Sequence, residues 1–163
     1  YDPYIRRGED WELNLRIRRA GGLVWFEPAL GVTYWPRASY SALAKQFFAT
    51  GAWRAVLVRR YPAETPWRFF APGTLVLSLA ISLIVLVLQV CGVTPWPWWS
   101  LVHLIWLVYL LGVVFASTRL PGIRGSERVR GCAALIIMHL CWGSGFLFGL
   151  VGGAGRTVDR SRV

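Results

Sequence analysis

The chain has 163 residues, of which 55% are hydrophobic and only 16% are charged, with 18 Lys or Arg side chains against 8 Asp or Glu. An average soluble domain has about 25% charged residues, so this composition excludes both an ordinary soluble domain and a disordered basic tail. The net charge of +10 is common in nucleic-acid binders, but the arginines here border long uncharged runs at residues 69–118 and 131–155. That placement favours a membrane with anionic headgroups as the partner and excludes nucleic acid.

The first 70 residues contain six of the eight acidic side chains and predict an α+β fragment. A short amphipathic helix opens at Gly8-Glu9-Asp10 and is ended by Gly21-Gly22. Residues 23–26 and 32–35 follow as two short strand candidates, with a turn between them at Glu27-Pro28.

A further helix is predicted at residues 39–60, directly before the first uncharged run. Its mixture of aromatic and basic residues is typical of an amphipathic helix on a membrane surface, with arginines that extend to the headgroups. This interpretation stays open beside the functional one given below.

Three windows in region 71–152 are long and apolar enough to cross a bilayer, at residues 71–91, 98–118 and 131–152. A hydrocarbon core of about 30 Å needs about 20 helical residues. We therefore predict an all-α membrane segment of three transmembrane helices, followed by a tail at 153–163. The third window either spans fully, which we favour, or forms a re-entrant hairpin broken at Gly143-Ser144-Gly145.

Small and polar residues inside these windows predict helix contacts. Gly145, Gly149 and Gly153 recur every four residues, and such a stripe lets another backbone of the same chain approach closely. His103 and His139 lie in windows without carboxylates, so we expect them to form interhelical hydrogen bonds rather than a proton relay. The three cysteines have neither metal-ligand nor disulfide spacing.

The arginines predict the orientation. They cluster before the first window and between the second and third, whereas the turn at 94–97 has none. Cytoplasmic segments are enriched in Lys and Arg, so we expect a multi-pass plasma-membrane protein with a cytoplasmic N-terminal region. Three spans would leave Arg156, Arg160 and Arg162 of the tail outside, as an exception to that rule. One Lys against 17 Arg is typical of a GC-rich bacterial genome.

Residues 7–36, which read RGEDWELNLRIRRAGGLVWFEPALGVTYWP, give a more specific signal. With a glutamine in the helix just ahead of the membrane spans, this run resembles the carboxy-terminal part of the catalytic domain in membrane-bound family 2 glycosyltransferases, most of all the succinoglycan-type exopolysaccharide branch. Residues 138–149 (MHLCWGSGFLFG) also resemble the last membrane helix of that branch. The resemblance implies a GT-A fold and inverting transfer of a sugar from a nucleotide-sugar donor to a lipid-linked or polysaccharide acceptor.

The same resemblance assigns catalytic residues. The acidic pair of the family falls on Glu9 and Asp10, so Asp10 would be the general base and Glu9 a supporting carboxylate. A positioned carboxylate that removes the hydroxyl proton during attack contributes about 10² to 10⁴ in rate. Taken without the resemblance, two acids at a helix start only cap the helix and complement its dipole.

Substrate-binding residues are assigned in the predicted helix at 39–60. Gln46 matches the glutamine of the family, but Ala49 and Thr50 stand where Arg and Trp are expected. Trp53 and Arg54 come one turn later. The resemblance therefore implies substrate contacts for Gln46, Trp53 and Arg54, since an indole face suits a sugar ring and an arginine suits a diphosphate.

The sequence contains no Asp-x-Asp motif, and we assign no metal ligand or cofactor to this chain. The resemblance implies Mg²⁺ or Mn²⁺ with a nucleotide-sugar, bound by an upstream donor half. We therefore expect the 163-residue chain alone to be inactive. The alternative function is a non-catalytic membrane scaffold or partner subunit, in which Glu9 and Asp10 only cap a helix.

Overall fold

The computed structural model describes residues 1–93, 97–122 and 124–152, and every regular element within these ranges is helical. The five α-helices are α1 (Glu9–Arg19), α2 (Tyr40–Arg60), α3 (Ala71–Val90), α4 (Leu104–Thr118) and α5 (Ser126–Leu150). Short 3₁₀ helices occur at Pro62–Glu64, Trp67–Phe69 and Pro97–His103.

The predicted α+β class is wrong for the described residues, because neither strand candidate forms a strand. The turn between them is present, with the backbone N–H of Leu30 donating to the carbonyl of Glu27. The flanking segments stay exposed, at 95% for Leu23 and 87% for Val32. Two short strands are marginal without further strands or a helix to pack on, and no described residue gives these apolar side chains such a surface.

The predicted first helix is confirmed as α1. Gly8 precedes it with φ of +78°, a conformation that suits glycine, and a Cβ there would lie 2.9 Å from Cδ1 of Leu57. The helix ends in a turn in which the N–H of Gly22 donates to the carbonyl of Ile17. Glycine therefore permits both the entry into α1 and its close approach to α2.

α1 packs against the C-terminal half of α2. Ile5, Leu15, Leu57 and Tyr61 form a buried cluster, and Trp11 borders it. Two ion pairs surround this cluster, Arg60 with Asp2 at 2.6 Å and Arg19 with Glu64. Apolar burial with charged pairs at the rim thus fixes α1 on α2.

α2 and α5 run parallel, with almost no side chains between their backbones. A Cβ on Gly145 would lie 2.9 Å from the Cα of Phe48, and one on Gly149 would lie 2.8 Å from the Cα of Ala52. Gly51 faces α5 in the same way. The prediction that the glycine stripe packs within the chain is confirmed for its first two members, whereas Gly153 lies outside the described residues.

α3 and α4 form an antiparallel hairpin joined by polar side chains. His103 lies 2.8 Å from the hydroxyl of Ser82 through Nδ1 and 2.9 Å from the amide oxygen of Gln89 through Nε2. His139 on α5 is 3.4 Å from the hydroxyl of Tyr109 on α4. Both histidines therefore make the predicted contacts between helices.

Three helices are long and apolar enough to cross a membrane: Ala71–Val90, Pro97–Thr118 and Ser126–Leu150. They match the predicted windows, except that the third begins five residues earlier. α5 runs unbroken through residues 143–145, so the alternative of a hairpin broken there is wrong. The predicted turn at 94–97 and the tail arginines fall largely or wholly on residues that are not described.

Candidate active site

Asp10 lies in the first turn of α1, exposed at the edge of an open cleft of about 680 Å³. Glu9 lines the same cleft. The remaining walls of the cleft come from the segment before the helix, namely Tyr1, Asp2, Pro3, Ile5 and Arg6. The N-terminal end of a helix has a positive dipole, which favours a carboxylate in this position.

Arg54 of α2 lies close enough to Asp10 for the two charges to interact. Its guanidinium covers two aromatic rings, 5.3 Å from the centroid of Trp11 and 4.7 Å from that of Phe69. Burial lowers the pKa of Arg54, and the negative charge of Asp10 opposes that shift. Nη1 is buried without a hydrogen-bond partner among the described residues. The structure therefore brings together two predicted site residues, a carboxylate open to the cleft and a half-buried cation.

This arrangement combines two chemical capacities. An exposed carboxylate can accept a proton from a hydroxyl that enters the cleft. A guanidinium fixed by two rings presents donors in a planar fork that suits phosphate oxygens. Asp10 thus offers a proton acceptor to the cleft, and Arg54, which does not line the cleft, is a cation that interacts with Asp10 from behind it.

Trp53, the neighbour of Arg54, lies on another face of α2. It is only 7% exposed and packs with Ala52, Val56 and Phe148. Consecutive residues of a helix point about 100° apart, so one of the two can face α1 while the other faces α5. The indole of Trp53 is consequently covered by α5.

Gln46 lies about 12 Å before Arg54 along α2, since eight residues rise about 1.5 Å each. Its side-chain oxygen accepts a hydrogen bond of 2.9 Å from Nε of Arg37. Gln46 is therefore engaged with the segment that precedes α2, and it is not next to the Asp10 cleft.

Glu12 is the acidic residue of α1 whose role the sequence did not reveal. It is fully buried, accepts a hydrogen bond of 2.7 Å from the hydroxyl of Tyr61, and pairs with Nε of Arg16 at 2.8 Å. Burial by itself would raise the pKa of Glu12, but the hydrogen bonds from Tyr61 and Arg16 lower it more, so the pKa lies below its ordinary value of 4.5. The i, i+4 spacing to Arg16 was the one sequence signal for this pair.

No group of three or more His, Cys, Asp or Glu side chains in residues 1–93, 97–122 and 124–152 could hold a metal ion. The described residues therefore do not fit the Mg²⁺ or Mn²⁺ that the resemblance implies for the donor.

Among known proteins, the chain is similar to the succinoglycan biosynthesis protein ExoA of Rhizobium meliloti (strain 1021), with 27% identity over 146 residues. The match covers 90% of this chain and 41% of ExoA, so the chain spans less than half of that relative. No family model and no solved structure matches. The similarity confirms the predicted resemblance to the succinoglycan-type branch.

Proposed function

We propose that this chain is the acceptor-side part and membrane anchor of a glycosyltransferase in exopolysaccharide biosynthesis. The similarity to ExoA supports sugar transfer, and the three membrane-length helices support a membrane location. In this proposal the sugar passes, with inversion, from a nucleotide-sugar to a hydroxyl of a lipid-linked or polysaccharide acceptor.

The observation that supports this function most directly is the position of Asp10 at an open cleft beside the cation of Arg54. Glu12, two residues later, is buried in a structural ion pair. A helix that only needed acids for its dipole would have no requirement for a half-buried arginine fixed over Trp11 and Phe69 next to one of them.

Asp10 acts as the general base. Its carboxylate accepts the proton of the acceptor hydroxyl while that oxygen bonds to the anomeric carbon, and the bond from this carbon to the nucleoside diphosphate breaks with its electron pair. Arg54 interacts with phosphate oxygens as the negative charge develops. Glu9 supports the orientation of Asp10.

The two remaining predicted residues act indirectly. Trp53 packs against Phe148 of α5 and so fixes the face of α2 from which Arg54 extends. Gln46 binds Nε of Arg37, outside the Asp10 cleft, and so contributes to transfer only by fixing the segment before α2.

Replacing Asp10 tests this function. In the native protein and its own membranes, we expect Asp10→Asn to lower the transfer of labelled sugar from nucleotide-sugar into the lipid and polysaccharide fractions by at least about 10²-fold, because the amide cannot accept the proton. Membrane insertion and donor binding should change little, since the side chain is exposed and isosteric.

Glu27→Gln is the matched control, because Glu27 is an exposed carboxylate on the loop after α1. It should retain transfer. Full turnover in the Asp10→Asn protein would exclude Asp10 as the base.

We further infer that α3 and α4 cross the membrane, whereas the α2–α5 pair lies along its cytoplasmic face. Nη1 of Arg59 donates a hydrogen bond of 2.9 Å to the carbonyl of Leu150, so α5 ends beside the basic segment that precedes α3. α5 also begins in a basic segment, with Arg128 and Arg130. Both ends of α5 are thus near arginines, which favours one side for both.

The composition of α2 supports the same topology. α2 packs along α5 and contains Lys45 and Arg54, each of which would cost about 2.5–3.5 kcal/mol at the centre of a bilayer. A pair along the surface avoids that cost. The hydrogen bond from Arg59 to Leu150 therefore supports a surface position for α5 rather than the predicted full span.

Cysteine labelling tests this topology. After Ala replaces Cys91, Cys132 and Cys141, single cysteines are placed at Ser126, Val151 and Val93 and treated with an impermeant maleimide in vesicles of known sidedness. We expect labelling of the Ser126→Cys and Val151→Cys proteins from the cytoplasmic side and of the Val93→Cys protein from the opposite side. Labelling of the first two from opposite sides would show that α5 spans the membrane.

A further inference from the structure

A second cleft, of about 570 Å³, lies at the N-terminal end of the α2–α5 pair. Arg37 and Arg130 line it, the first from the segment before α2 and the second from the start of α5. None of its lining residues is acidic; the others are Ala38, Ser39, Tyr40, Leu43 and Ala134. Two cations from separate segments therefore face one space without a carboxylate to neutralise them.

Hydrogen bonds fix the walls of this cleft. Gln46 accepts from Nε of Arg37 at 2.9 Å, which leaves the outer nitrogens of the guanidinium to other partners. The hydroxyl of Tyr40 donates to the carbonyl of Arg130 at 3.2 Å and so ties the start of α2 to α5. Ser39 caps α2, whose first turn contains no acidic residue.

The cleft is polar at one end and apolar at the other. Leu43 and Ala134 form the apolar wall, and Arg130 is the last charged residue before the uncharged run 131–155. A helix pair that lies along the membrane surface places its basic side chains among the headgroups and its apolar side chains at the edge of the hydrocarbon core. The ligand that matches this arrangement has an anionic head and an apolar tail.

We propose that this cleft binds the phosphate group of a membrane lipid, with Arg37 and Arg130 on the phosphate oxygens and Gln46 as the residue that positions Arg37. The site is separate from the Asp10 cleft, because Tyr40 and Arg54 are about 21 Å apart along α2. It does not depend on sugar transfer. Anionic headgroups attract clustered Lys and Arg, and a guanidinium pairs with phosphate in a bidentate geometry.

Lipid titration of the purified protein in a neutral detergent tests the proposal, with short-chain phosphatidylglycerol, phosphatidylcholine and inorganic phosphate as probes and native mass spectrometry as the readout. We expect phosphatidylglycerol to bind at least tenfold more tightly than phosphatidylcholine. Arg37→Gln with Arg130→Gln should weaken phosphatidylglycerol binding about tenfold or more. The side chains are exposed, so circular dichroism should show an unchanged helix content.

Arg18→Gln with Arg124→Gln is the matched control, since it removes the same charge from exposed positions outside the cleft. An equal loss in this control would show general attraction by a basic protein and would overturn the site. If inorganic phosphate bound as tightly as the lipid and depended equally on Arg37 and Arg130, the ligand of the cleft would be free phosphate and not a lipid.

The role of Gln46 is tested separately. Gln46→Leu removes the acceptor for Nε of Arg37, and we expect about threefold weaker phosphatidylglycerol binding. Gln46→Glu keeps an acceptor oxygen but pairs a carboxylate with Arg37, so it should weaken phosphatidylglycerol binding at least as much. In an Arg37→Gln background, Gln46→Leu should cause no further loss, because Gln46 then has no guanidinium to position. Equal affinity of the Leu variant and the wild-type protein would remove Gln46 from the site.

Discussion

Two helix pairs in this protein are joined in opposite ways. α2 and α5 meet backbone to backbone, at Gly51, Gly145 and Gly149. α3 and α4 meet through the side chains of Ser82, His103 and neighbouring polar residues. The first pair gains close van der Waals contact along its length, whereas the second gains a few hydrogen bonds at one end.

The surroundings of the two pairs differ as well. α3 and α4 expose large apolar side chains on their outer faces, such as Ile84 and Val108, which suits contact with lipid tails. α5 is half-buried along most of its apolar part, because α2, α3 and α4 all pack on it. The closely packed Gly145 and Gly149 thus lie where a helix is enclosed, and the polar contacts of Ser82 and His103 lie where a hairpin faces lipid.

The largest loss of stability should follow from adding side chains to the glycines at the contact between α2 and α5. We expect Gly145→Ala with Gly149→Ala to destabilise the protein by about 3 kcal/mol, because each new Cβ would lie under 3 Å from backbone atoms of α2 that cannot rotate away. Unfolding by added SDS, followed by circular dichroism, measures the change.

Gly112→Ala on α4 is the control, since a Cβ there has nothing within 4 Å among the described residues. It should be neutral or slightly stabilising, because alanine favours a helix over glycine. Equal destabilisation by both changes would mean that α2 and α5 are not held by close backbone approach.

A smaller loss of stability is expected from a change where α1 packs on the α2–α5 helix pair. Glu12→Gln keeps the shape but removes the charge that pairs with Arg16 and accepts from Tyr61, and hydrogen bonds to charged groups contribute about 2 kcal/mol. Hydrogen exchange of the α1 amides should become faster, while exchange in α3 stays unchanged.

The ion pair of Glu12 with Arg16 makes the stability of the protein depend on pH. The pKa of folded Glu12 lies below 4.5, its ordinary value, so its contribution is complete above that pH and is lost as the pH falls through the lowered folded value. The pKa of Asp2 is also lowered, first by the N–H of Tyr4 and then by Arg60. When the pH is lowered below 4.5, we expect the melting temperature of the wild-type protein to decrease. The decrease should be smaller in the double variant Glu12→Gln with Asp2→Asn. If the melting temperature of both proteins fell equally with decreasing pH, neither Glu12 nor Asp2 would be the cause of the acid destabilisation.

The sequence predicted the helices better than it predicted the strands. The apolar windows and the stripe at Gly145 and Gly149 depend on local spacing alone, and the structure contains the helices and the close contact. The strand candidates at residues 23–26 and 32–35 depend on a partner strand, which a local pattern cannot supply and which the described residues do not contain.

The candidate site also divides into features that depend on local sequence and features that depend on packing. The position of Asp10 at a helix start depends on local sequence, and the structure contains the predicted helix start. Arg54 and Trp53 are adjacent in sequence, so only the packing of α2 between α1 and α5 decides which of them faces Asp10. Glu12 is buried and accepts a hydrogen bond from Tyr61, which is 49 residues away, so its i, i+4 spacing to Arg16 was the one local signal that set it apart from the exposed Asp10.

The smallest effect should follow from loss of one polar contact in the α3–α4 hairpin. Ser82 accepts a hydrogen bond of 2.8 Å from the indole nitrogen of Trp106, and its own proton can therefore go to Nδ1 of His103. Hydrogen bonds between membrane helices contribute about 0.6 kcal/mol on average, so we expect Ser82→Ala to cost about 1 kcal/mol for two such contacts. Ser78→Ala, one turn earlier on α3, is the control and should change the SDS midpoint little. A loss at Ser82 as large as that of the double glycine variant would reverse the comparison, because side-chain polarity would then hold this bundle more firmly than close backbone packing.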